Sequence, residues 1–192
     1  MGKNVAAKLT DLQPDTVSYF KKLPGYDTLR IVLAKKIVLV EGPSDEIVFE
    51  RIFFDTYGKW PMQCGIDVLS MRGLSLARGL ELCAALHKPV AALRDNDGFD
   101  PTDLRSSVDK WLKAGERELF IGEVAEGETL EPQLIHHSTE PLLRKILGIA
   151  AAADLLKWMT REKTEAALRI SVATEKIVPP PYMLAAVQFA HG

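Results

Sequence analysis

Short apolar runs alternate with amphipathic segments through the first two thirds of the chain. The run KIVLV at 36–40 is β-branched and almost entirely apolar, which is typical of a strand buried in a parallel sheet. It ends in Glu-Gly-Pro-Ser-Asp at 41–45, where Ser44 is a suitable helix N-cap. The pattern therefore predicts a strand at 36–40 followed by an amphipathic helix at 45–57.

The same alternation continues along the chain, with strands predicted at 66–70 and 90–93, a helix at 76–86, and a fourth strand at 119–124. This spacing is typical of consecutive βαβ units and predicts an α/β fold with a parallel sheet flanked by helices. Beyond residue 131 the pattern is mainly helical. We expect helices at 141–147, 151–159 and 164–170, and a short last helix after three prolines at 179–181.

These elements predict three parts: a connector or helical segment at 1–35, the α/β domain at 36–130, and a helical extension at 131–192. A chain of 192 residues with 47% hydrophobic and 26% charged residues is long enough for one buried core. The longest apolar stretch, 146–156, is well short of the roughly 20 residues that span a bilayer. Because the start also has no apolar signal region, we expect a cytoplasmic protein without membrane partners.

Charge limits how the chain could bind nucleic acid. The net charge of −2 argues against binding by bulk positive charge alone, although bound divalent ions can supply positive potential locally. The first segment is locally basic, and its cations form either a solvated face or a contact to a phosphate backbone. These cations are Lys21, Lys22, Arg30, Lys35 and Lys36.

The cysteines and histidines give no zinc motif. Cys64 and Cys83 are isolated, so we expect two reduced thiols. His136 and His137 are adjacent, and neighbours on a helix do not share a face. We therefore predict that they are surface histidines that do not bind one ion together.

Acidic residues stand at the carboxyl ends of two predicted strands. Glu41 directly follows the first strand, and Asp45 lies in the first turn of the next helix. Asp95 and Asp97 follow the third strand at i and i+2, so an extended backbone would point both the same way. If the two strands are neighbours in the sheet, four carboxylates converge at the edge where parallel sheets bind ligands.

Four converging carboxylates would repel one another, and a divalent cation would remove that cost. Oxygen donors without cysteine or histidine favour Mg²⁺ or Mn²⁺, the ions of phosphoryl transfer and nuclease chemistry. Each acid alone also has a structural interpretation. Asp45 would suit a helix N-terminus, and the sequence DNDG at 95–98 would form a turn.

These residues also resemble a known pattern. The Toprim domain of topoisomerases, primases and some nucleases has one strand that ends in Glu-Gly and a later strand that ends in DxD. The corresponding residues here are Glu41-Gly42 and Asp95-Asn96-Asp97. The resemblance implies a Toprim-like parallel sheet flanked by helices, with the mainly helical segment as a C-terminal extension.

A closer resemblance is to the Toprim region of the overcoming-lysogenisation-defect (OLD) family nucleases. It rests on VLVEGPSDEIVFERIF at 38–53, on the segment 66–97 with a central glycine at Gly73, and on Lys163-Thr164-Glu165. It extends from about residue 19 to the C-terminus. It implies a metal-dependent DNA nuclease that uses two ions, either Mg²⁺ or Mn²⁺.

The OLD resemblance also implies roles for individual residues. The metal ligands would be Glu41, Asp45, Asp95 and Asp97, with Glu131 as a further ligand. Lys163 would stabilise charge that develops on the phosphate. Family members carry an ATPase domain ahead of this region. The present sequence has no GxxxxGK[ST] motif, so the resemblance implies that it is the C-terminal part of a longer protein.

Two activities are open at this stage. The first is DNA phosphodiester hydrolysis by a two-metal mechanism, with DNA held mainly by its backbone. The second is a non-catalytic module that binds a structural or regulatory ion while the helical tail docks a partner. A topoisomerase-like activity is disfavoured because no tyrosine lies in a context that suggests a nucleophile, and a primase-like activity because template-binding parts are missing.

Overall fold

The structure is a computed structural model of the chain. It describes residue 8 and residues 11–22, 25–71 and 76–192, with residues 25–28 described by their backbone only. Gly73, the central glycine of the family resemblance, lies outside the described residues.

The sheet contains four strands in the order β2-β1-β3-β4, and all neighbouring pairs are parallel. The strands are β1 (Lys36–Val40), β2 (Ile66–Ser70), β3 (Val90–Arg94) and β4 (Arg117–Ile121). The parallel α/β sheet that the sequence predicts is confirmed. The fourth strand begins and ends earlier than the predicted 119–124 because the apolar run there continues into a turn, a 3₁₀ turn at Val124–Glu126.

Helices cover both faces of the sheet and make up nearly all of the regular structure after β4. Those ahead of or between the strands are α1 (Pro14–Lys22), α2 (Gly25–Leu33), α3 (Pro43–Tyr57), α4 (Leu76–Ala85) and α5 (Pro101–Ser106). Those after β4 are α6 (Leu130–His137), α7 (Glu140–Leu147), α8 (Leu155–Arg161), α9 (Lys163–Val172) and α10 (Pro181–His191). The mainly helical C-terminal part is therefore confirmed.

Two hydrophobic cores lie on opposite faces of the sheet. Successive residues of a strand point to opposite faces, so Val38 and Val40 of β1 enter one core while Ile37 and Leu39 enter the other. The first core contains apolar residues of α3 and of α6 through α10. The second contains residues of α1, α2 and α4. The C-terminal helices are thus part of the main core.

The start of α3 differs from the sequence prediction. Ser44 is not the N-cap but is a buried residue inside the helix, and the N-cap is Gly42. Pro43 takes the first helical position because its fixed φ suits a helix start and its missing N–H costs nothing there. The helix therefore begins two residues earlier than predicted, which makes Asp45 its third residue, still in the first turn.

A buried arginine ties α3 to the end of α9. The Arg51 side chain pairs with Asp55 (Nε to Oδ2, 2.8 Å). Its guanidinium donates to four backbone carbonyls just past or at the end of α9, those of Ile170, Ser171, Ala173 and Glu175. Carbonyls at a helix C-terminus have no partner within the helix, so Arg51 satisfies groups that burial would otherwise leave unpaired.

The two thiols differ in environment. Cys64 is exposed, whereas Cys83 is buried, and burial raises the pKa of the Cys83 thiol to about 12. Cys83 therefore behaves as a core residue with a protonated thiol. In the part of the chain that the structure describes, none of the helices has the length and apolarity needed to cross a membrane.

Candidate metal centre

Strand order decides whether the acidic residues meet. β1 and β3 are hydrogen-bonded neighbours, with Val38 opposite Ala91 and Leu39 opposite Ala92. Because the strands are parallel, the residues after Val40 and after Leu93 emerge at the same edge. The neighbouring arrangement on which the four-carboxylate prediction depended is therefore present.

Glu41 leaves the end of β1 and lies partly exposed at this edge. Its Oε1 is 3.7 Å from Nε of Arg94, the last residue of β3. The pKa of Glu41 is raised, chiefly by burial and further by the negative charges of Asp97 and Asp45. The positive charge of Arg94 and a hydrogen bond from the Asp95 backbone oppose that rise without cancelling it.

Asp45 projects from the first turn of α3 back toward the strand end. Its Oδ2 accepts a hydrogen bond from the backbone N–H of Gly42, at 2.9 Å. Burial raises the pKa of Asp45 to about 6, and the negative charge of Glu131 contributes to that rise. A carboxylate in a helix first turn would ordinarily have a lowered pKa, so the surrounding acids and burial outweigh the helix dipole here.

Asp95 is the most perturbed acid of the group. Burial raises its pKa to about 8, and the negative charges of Asp45, Glu41 and Glu131 add to the effect. In the absence of a cation, Asp95 is largely protonated at neutral pH. An acid with this property binds a divalent cation at the expense of its proton.

Asp97 does not follow the extended geometry that the sequence analysis assumed. β3 ends at Arg94, and Asp97 is exposed with a left-handed backbone (φ 50°) in the turn that follows. The prediction that an extended backbone points Asp95 and Asp97 the same way is wrong, because the chain turns between them. Asp97 nevertheless lies close enough to Glu41 for its charge to raise the pKa of that residue.

The turn itself is held by Asn96, which is fully buried. Its Nδ2 donates to the carbonyls of Gly122 (3.0 Å) and Gly127 (2.8 Å), and its Oδ1 accepts from the N–H of Gly98 (2.9 Å). The Asp97 N–H donates to the Glu128 carbonyl at 3.1 Å. The turn after β3 is therefore fixed by the loop that follows β4.

Glu131 and Lys163 come from the helical part of the chain and meet at the same edge. Glu131 lies in the first turn of α6, is only 3% exposed, and accepts a hydrogen bond from the Thr129 hydroxyl at 2.9 Å. Nζ of Lys163, the first residue of α9, is 3.2 Å from Oε2 of Glu131. Burial alone would lower the pKa of Lys163, but Glu131 and the other acids raise it above its ordinary value.

Two further residues at the site were not identified from the sequence. Arg94 pairs with Glu41, as described above. Tyr182 is buried at the start of α10, and its pKa is raised well above the ordinary value by burial and then by four nearby negative charges. Those charges belong to Asp95, Asp45, Glu131 and Glu41. A tyrosine after three prolines carries no local signal of such proximity, because α10 reaches the site only through tertiary packing.

The paired histidines also differ from expectation. His136 is exposed but His137 is partly buried, and their ring centroids are 4.9 Å apart with the rings edge to face. Nε2 of His137 is 2.9 Å from Oε2 of Glu126. The expected surface position therefore holds for His136 but not for His137, and a ligand atom of each ring lies within 4.8 Å of the other and of Glu126.

Two residues of the basic N-terminal segment have internal partners. Arg30 pairs with Asp67 (Nη2 to Oδ1, 2.6 Å), and Lys36 donates to the Ala190 carbonyl at 3.2 Å. These two cations therefore stabilise the fold. A phosphate contact by the rest of the segment stays a prediction.

The donor chemistry of the site fits a hard divalent cation. Acids from separate elements lie at the same edge of the sheet, and three of them have raised pKa values, chiefly because of burial and further because of neighbouring negative charges. Such a set of oxygen donors suits Mg²⁺ or Mn²⁺, since these ions prefer carboxylates to nitrogen or sulfur ligands. The residues present therefore fit a divalent ion.

Comparison with known proteins agrees with this arrangement. Residues 32–97 match the family model for the TOPRIM domain of overcoming lysogenization defect protein-like proteins. The fold is similar to the C-terminal region of the Burkholderia pseudomallei OLD protein, with a TM-score of 0.61 and 18% identity over 82% of this chain and 97% of that one. It is also similar to the C-terminal region of the Xanthomonas campestris pv. campestris OLD protein, with a TM-score of 0.59 and 18% identity over 84% and 94%. No curated protein matches the sequence.

Proposed function

Because this chain carries an OLD-like TOPRIM domain, of a metal-binding nuclease type, we propose that it hydrolyses DNA phosphodiester bonds with Mg²⁺ or Mn²⁺. In this proposal two divalent ions bind at the edge of the sheet beyond β1 and β3. The family match covers 32–97, and the structural similarity supports the fold of the remainder. The proposed activity is that of an endonuclease or an exonuclease.

One observation carries the proposal: acids from the end of β1, from α3, from the turn after β3 and from α6 lie at one edge of the sheet beside a lysine, and the pKa values of the first three are raised. Burial is the largest cause of each shift, and among the remaining causes those that raise the pKa are the negative charges of neighbouring acids. A purely structural role, as a turn residue or as an acid that stabilises a helix N-terminus, explains one acid at a time. It does not account for acids from four separate elements, which are Glu41, Asp45, Asp95 and Glu131.

Different residues of the chain would have different roles in hydrolysis. The proposed ion ligands are Glu41, Asp45, Asp95, Asp97 and Glu131. When bound, divalent ions lower the pKa of a water and neutralise charge on phosphate oxygens. The Lys163 side chain is 43% exposed, so it is available to a phosphate, and its ammonium would stabilise charge on the phosphate oxygens in the transition state. Attack by water on phosphorus then breaks the bond to one ester oxygen, which leaves with a proton.

The proposed substrate is DNA, held through its backbone. An ATPase domain ahead of this unit belongs to the same proposal, and the two structural neighbours named above are themselves C-terminal regions of OLD proteins. The present 192 residues contain no P-loop motif of their own.

The test is cleavage of supercoiled plasmid and of linear duplex DNA with Mg²⁺, Mn²⁺, Ca²⁺ or chelator. We expect nicking or degradation with Mg²⁺ or Mn²⁺ and none with chelator. Glu41→Gln should remove this activity because the amide keeps the side-chain shape but loses the anionic ligand.

The matched control is Glu116→Gln, which changes the same residue type just before β4, at the opposite edge of the sheet. It should cleave at the rate of the unmodified protein. Cleavage that survives Glu41→Gln would contradict the assigned site. If no metal supports cleavage while Mg²⁺ or Mn²⁺ still binds, the alternative of a non-catalytic metal-binding module is favoured.

Lys163→Met should lower the rate of cleavage at saturating metal by about 10²-fold. The reason is that methionine keeps most of the side-chain volume but supplies no positive charge to the phosphate. Single-turnover kinetics over a range of Mg²⁺ concentrations measures the effect. If the loss disappears at high Mg²⁺, Lys163 acts only by organising Glu131 for metal binding.

Lys157→Met provides the control for Lys163→Met. Lys157 is exposed on α8, so its loss removes the same charge from a nearby helix without touching the site. We expect a cleavage rate within about twofold of the unmodified protein, as for a surface substitution.

A further inference from the structure

A second cluster of metal-binding side chains lies apart from the carboxylates described above. It consists of Glu126 in the 3₁₀ turn after β4 and of His136 and His137 in the last turn of α6. One ligand atom of each residue lies within 4.8 Å of the corresponding atoms of the other two. From this geometry we propose that the three residues form a separate site for a transition-metal ion that accepts both nitrogen and oxygen ligands, such as Zn²⁺.

The donor set distinguishes this site from the carboxylate site. Two imidazoles and one carboxylate are ligands that suit Zn²⁺, whereas Mg²⁺ prefers oxygen donors throughout. A tetrahedral Zn²⁺ with ligands at about 2.0–2.1 Å needs donor atoms roughly 3.3 Å apart. Nε2 of His137 and Oε2 of Glu126 are 2.9 Å apart, and the three ligand atoms all lie within 4.8 Å of one another, so small side-chain shifts would bring them to that spacing. The ion would take the place of the proton that the imidazole and carboxylate share, and a water would fill the fourth position.

Helix α6 favours a cation at this position. His136 and His137 lie at its C-terminus, where the unpaired carbonyls carry partial negative charge. The end of the helix is also fixed, because the Ser138 hydroxyl donates to the Val178 carbonyl (3.1 Å) and accepts from the Val178 N–H (3.0 Å). The histidines therefore project from a rigid support, which reduces the entropy cost of gathering them on an ion.

The segment that carries Glu126 is fastened to the same helix. Gln133 of α6 donates to the Gly127 carbonyl at 2.9 Å. It also packs so closely over Gly122 that a Cβ there would lie 2.1 Å from the Gln133 amide. Glu126 lines an open cleft of about 260 Å³, and His136 is exposed, so an ion can reach these ligands from solvent. The fold therefore brings the three ligand residues together, holds them in place and leaves them accessible to an ion.

An ion bound there would connect two parts that hold the carboxylate site. The loop at 122–129 receives the hydrogen bonds of Asn96 and Asp97, and α6 carries Glu131 in its first turn. Binding of Zn²⁺ would therefore clamp the loop against α6 and stabilise both supports. The proposal does not depend on whether the chain cleaves DNA.

The experiment is a Zn²⁺ titration of the full 192-residue chain in competition with a chromophoric chelator, in excess Mg²⁺ to occupy the carboxylates. We expect one Zn²⁺ per chain. His136→Ala and Glu126→Gln should each weaken it by at least the roughly 10–100-fold that loss of even an outer-shell partner costs. Because His136 is exposed, its replacement leaves the core intact.

Two controls separate this site from other sources of Zn²⁺ binding. His87→Asn removes an exposed histidine elsewhere, and asparagine accepts the left-handed backbone there (φ 52°), so affinity should not change. Asp95→Asn alters the carboxylate site and should leave this Zn²⁺ in place. If Asp95→Asn abolishes binding while His136→Ala does not, the ion occupies the carboxylates and the proposal is wrong.

Nitrogen-15 NMR of the imidazole rings gives a second readout that needs no variant. Zn²⁺ should shift the ring nitrogens of His136 and His137 together, at one equivalent, and leave those of His87 and His191 unchanged. Equal shifts at all four histidines, or none at the first two, would overturn the proposal.

Discussion

Replacing Asp95 by asparagine is expected to remove most DNA cleavage and, at the same time, to make the metal-free protein more stable above pH 8. The loss of activity follows from losing an anionic ligand at the most perturbed position of the cluster. If that ligand contributes about 4 kcal/mol to transition-state stabilisation, the rate falls by about 10³-fold. The substitution keeps the size of the side chain and its position after β3.

The expected gain in stability, unlike the loss of activity, follows from the raised pKa of Asp95. Its value in the folded protein, about 8, is far above the roughly 3.9 of an unfolded chain, so the folded state binds more protons between these values. The stability that the protonated Asp95 contributes is fully present below about pH 4 and is lost as the pH rises through about 8. Asparagine cannot ionise and does not undergo this loss.

Thermal unfolding in chelator at pH 5 and pH 9 measures the effect. The unmodified protein should lose more stability between the two pH values than Asp95→Asn does. Mg²⁺ at 100 times its Kd should raise the free energy of unfolding of the unmodified protein at pH 9 by about 2.7 kcal/mol, and that of the variant by less.

Asp109→Asn is the matched control, since Asp109 is exposed in the 3₁₀ turn before β4. It should follow the unmodified protein in both activity and pH dependence. An Asp95→Asn protein that cleaves at the original rate, or that is less stable than the unmodified protein at pH 9, would show that the cluster does not work as described.

Arg51→Met should lower the free energy of unfolding by about 3–5 kcal/mol, the cost of removing one partner of a buried, hydrogen-bonded charge. The variant leaves Asp55 without its ion pair and removes the side-chain donor from four backbone carbonyls near the end of α9. For a chain of this size the melting temperature should fall by about 6–20 °C. Chemical denaturation and calorimetry measure both quantities.

The consequence extends to the candidate site, because Arg51 lies on α3 with Asp45 and fixes the end of α9, whose first residue is Lys163. Arg51→Lys should be intermediate, since lysine keeps the charge but cannot donate in a fork to several carbonyls. Arg161→Met removes an exposed arginine that pairs with its neighbour Glu162 and should cost no more than about 1 kcal/mol. An equal loss in Arg51→Met and Arg161→Met would contradict the capping role.

Much of the fold could be read from local pattern. The segments 36–40, 66–70 and 90–93 each form a strand of the parallel sheet, and the two central strands are almost entirely apolar because both of their faces are buried. The boundaries were less well determined. Gly42 and Pro43, not Ser44, begin α3, since a proline at the first helical position competes with a side-chain cap.

The candidate site was only partly accessible to the same reasoning. Glu41, Asp45 and Asp95 stand next to predicted strand ends, so the sheet edge could be inferred from the chain alone. Glu131 and Lys163 came only from the family resemblance, and the structure brings them within 3.2 Å of each other. Tyr182 was missed because burial beside distant acids leaves no trace in its neighbouring residues.

By itself, the sequence determined the order of strands and helices along the chain and the oxygen-rich chemistry at two strand ends, because periodicity and residue type are local properties. Only the tertiary structure decided that β1 and β3 are neighbours and that Asp97 turns away from the extended path. It also decided that Arg51 caps α9 and that Glu126 meets two histidines. Those features depend on packing between segments far apart in the chain, and no short stretch of residues determines how two distant segments pack together.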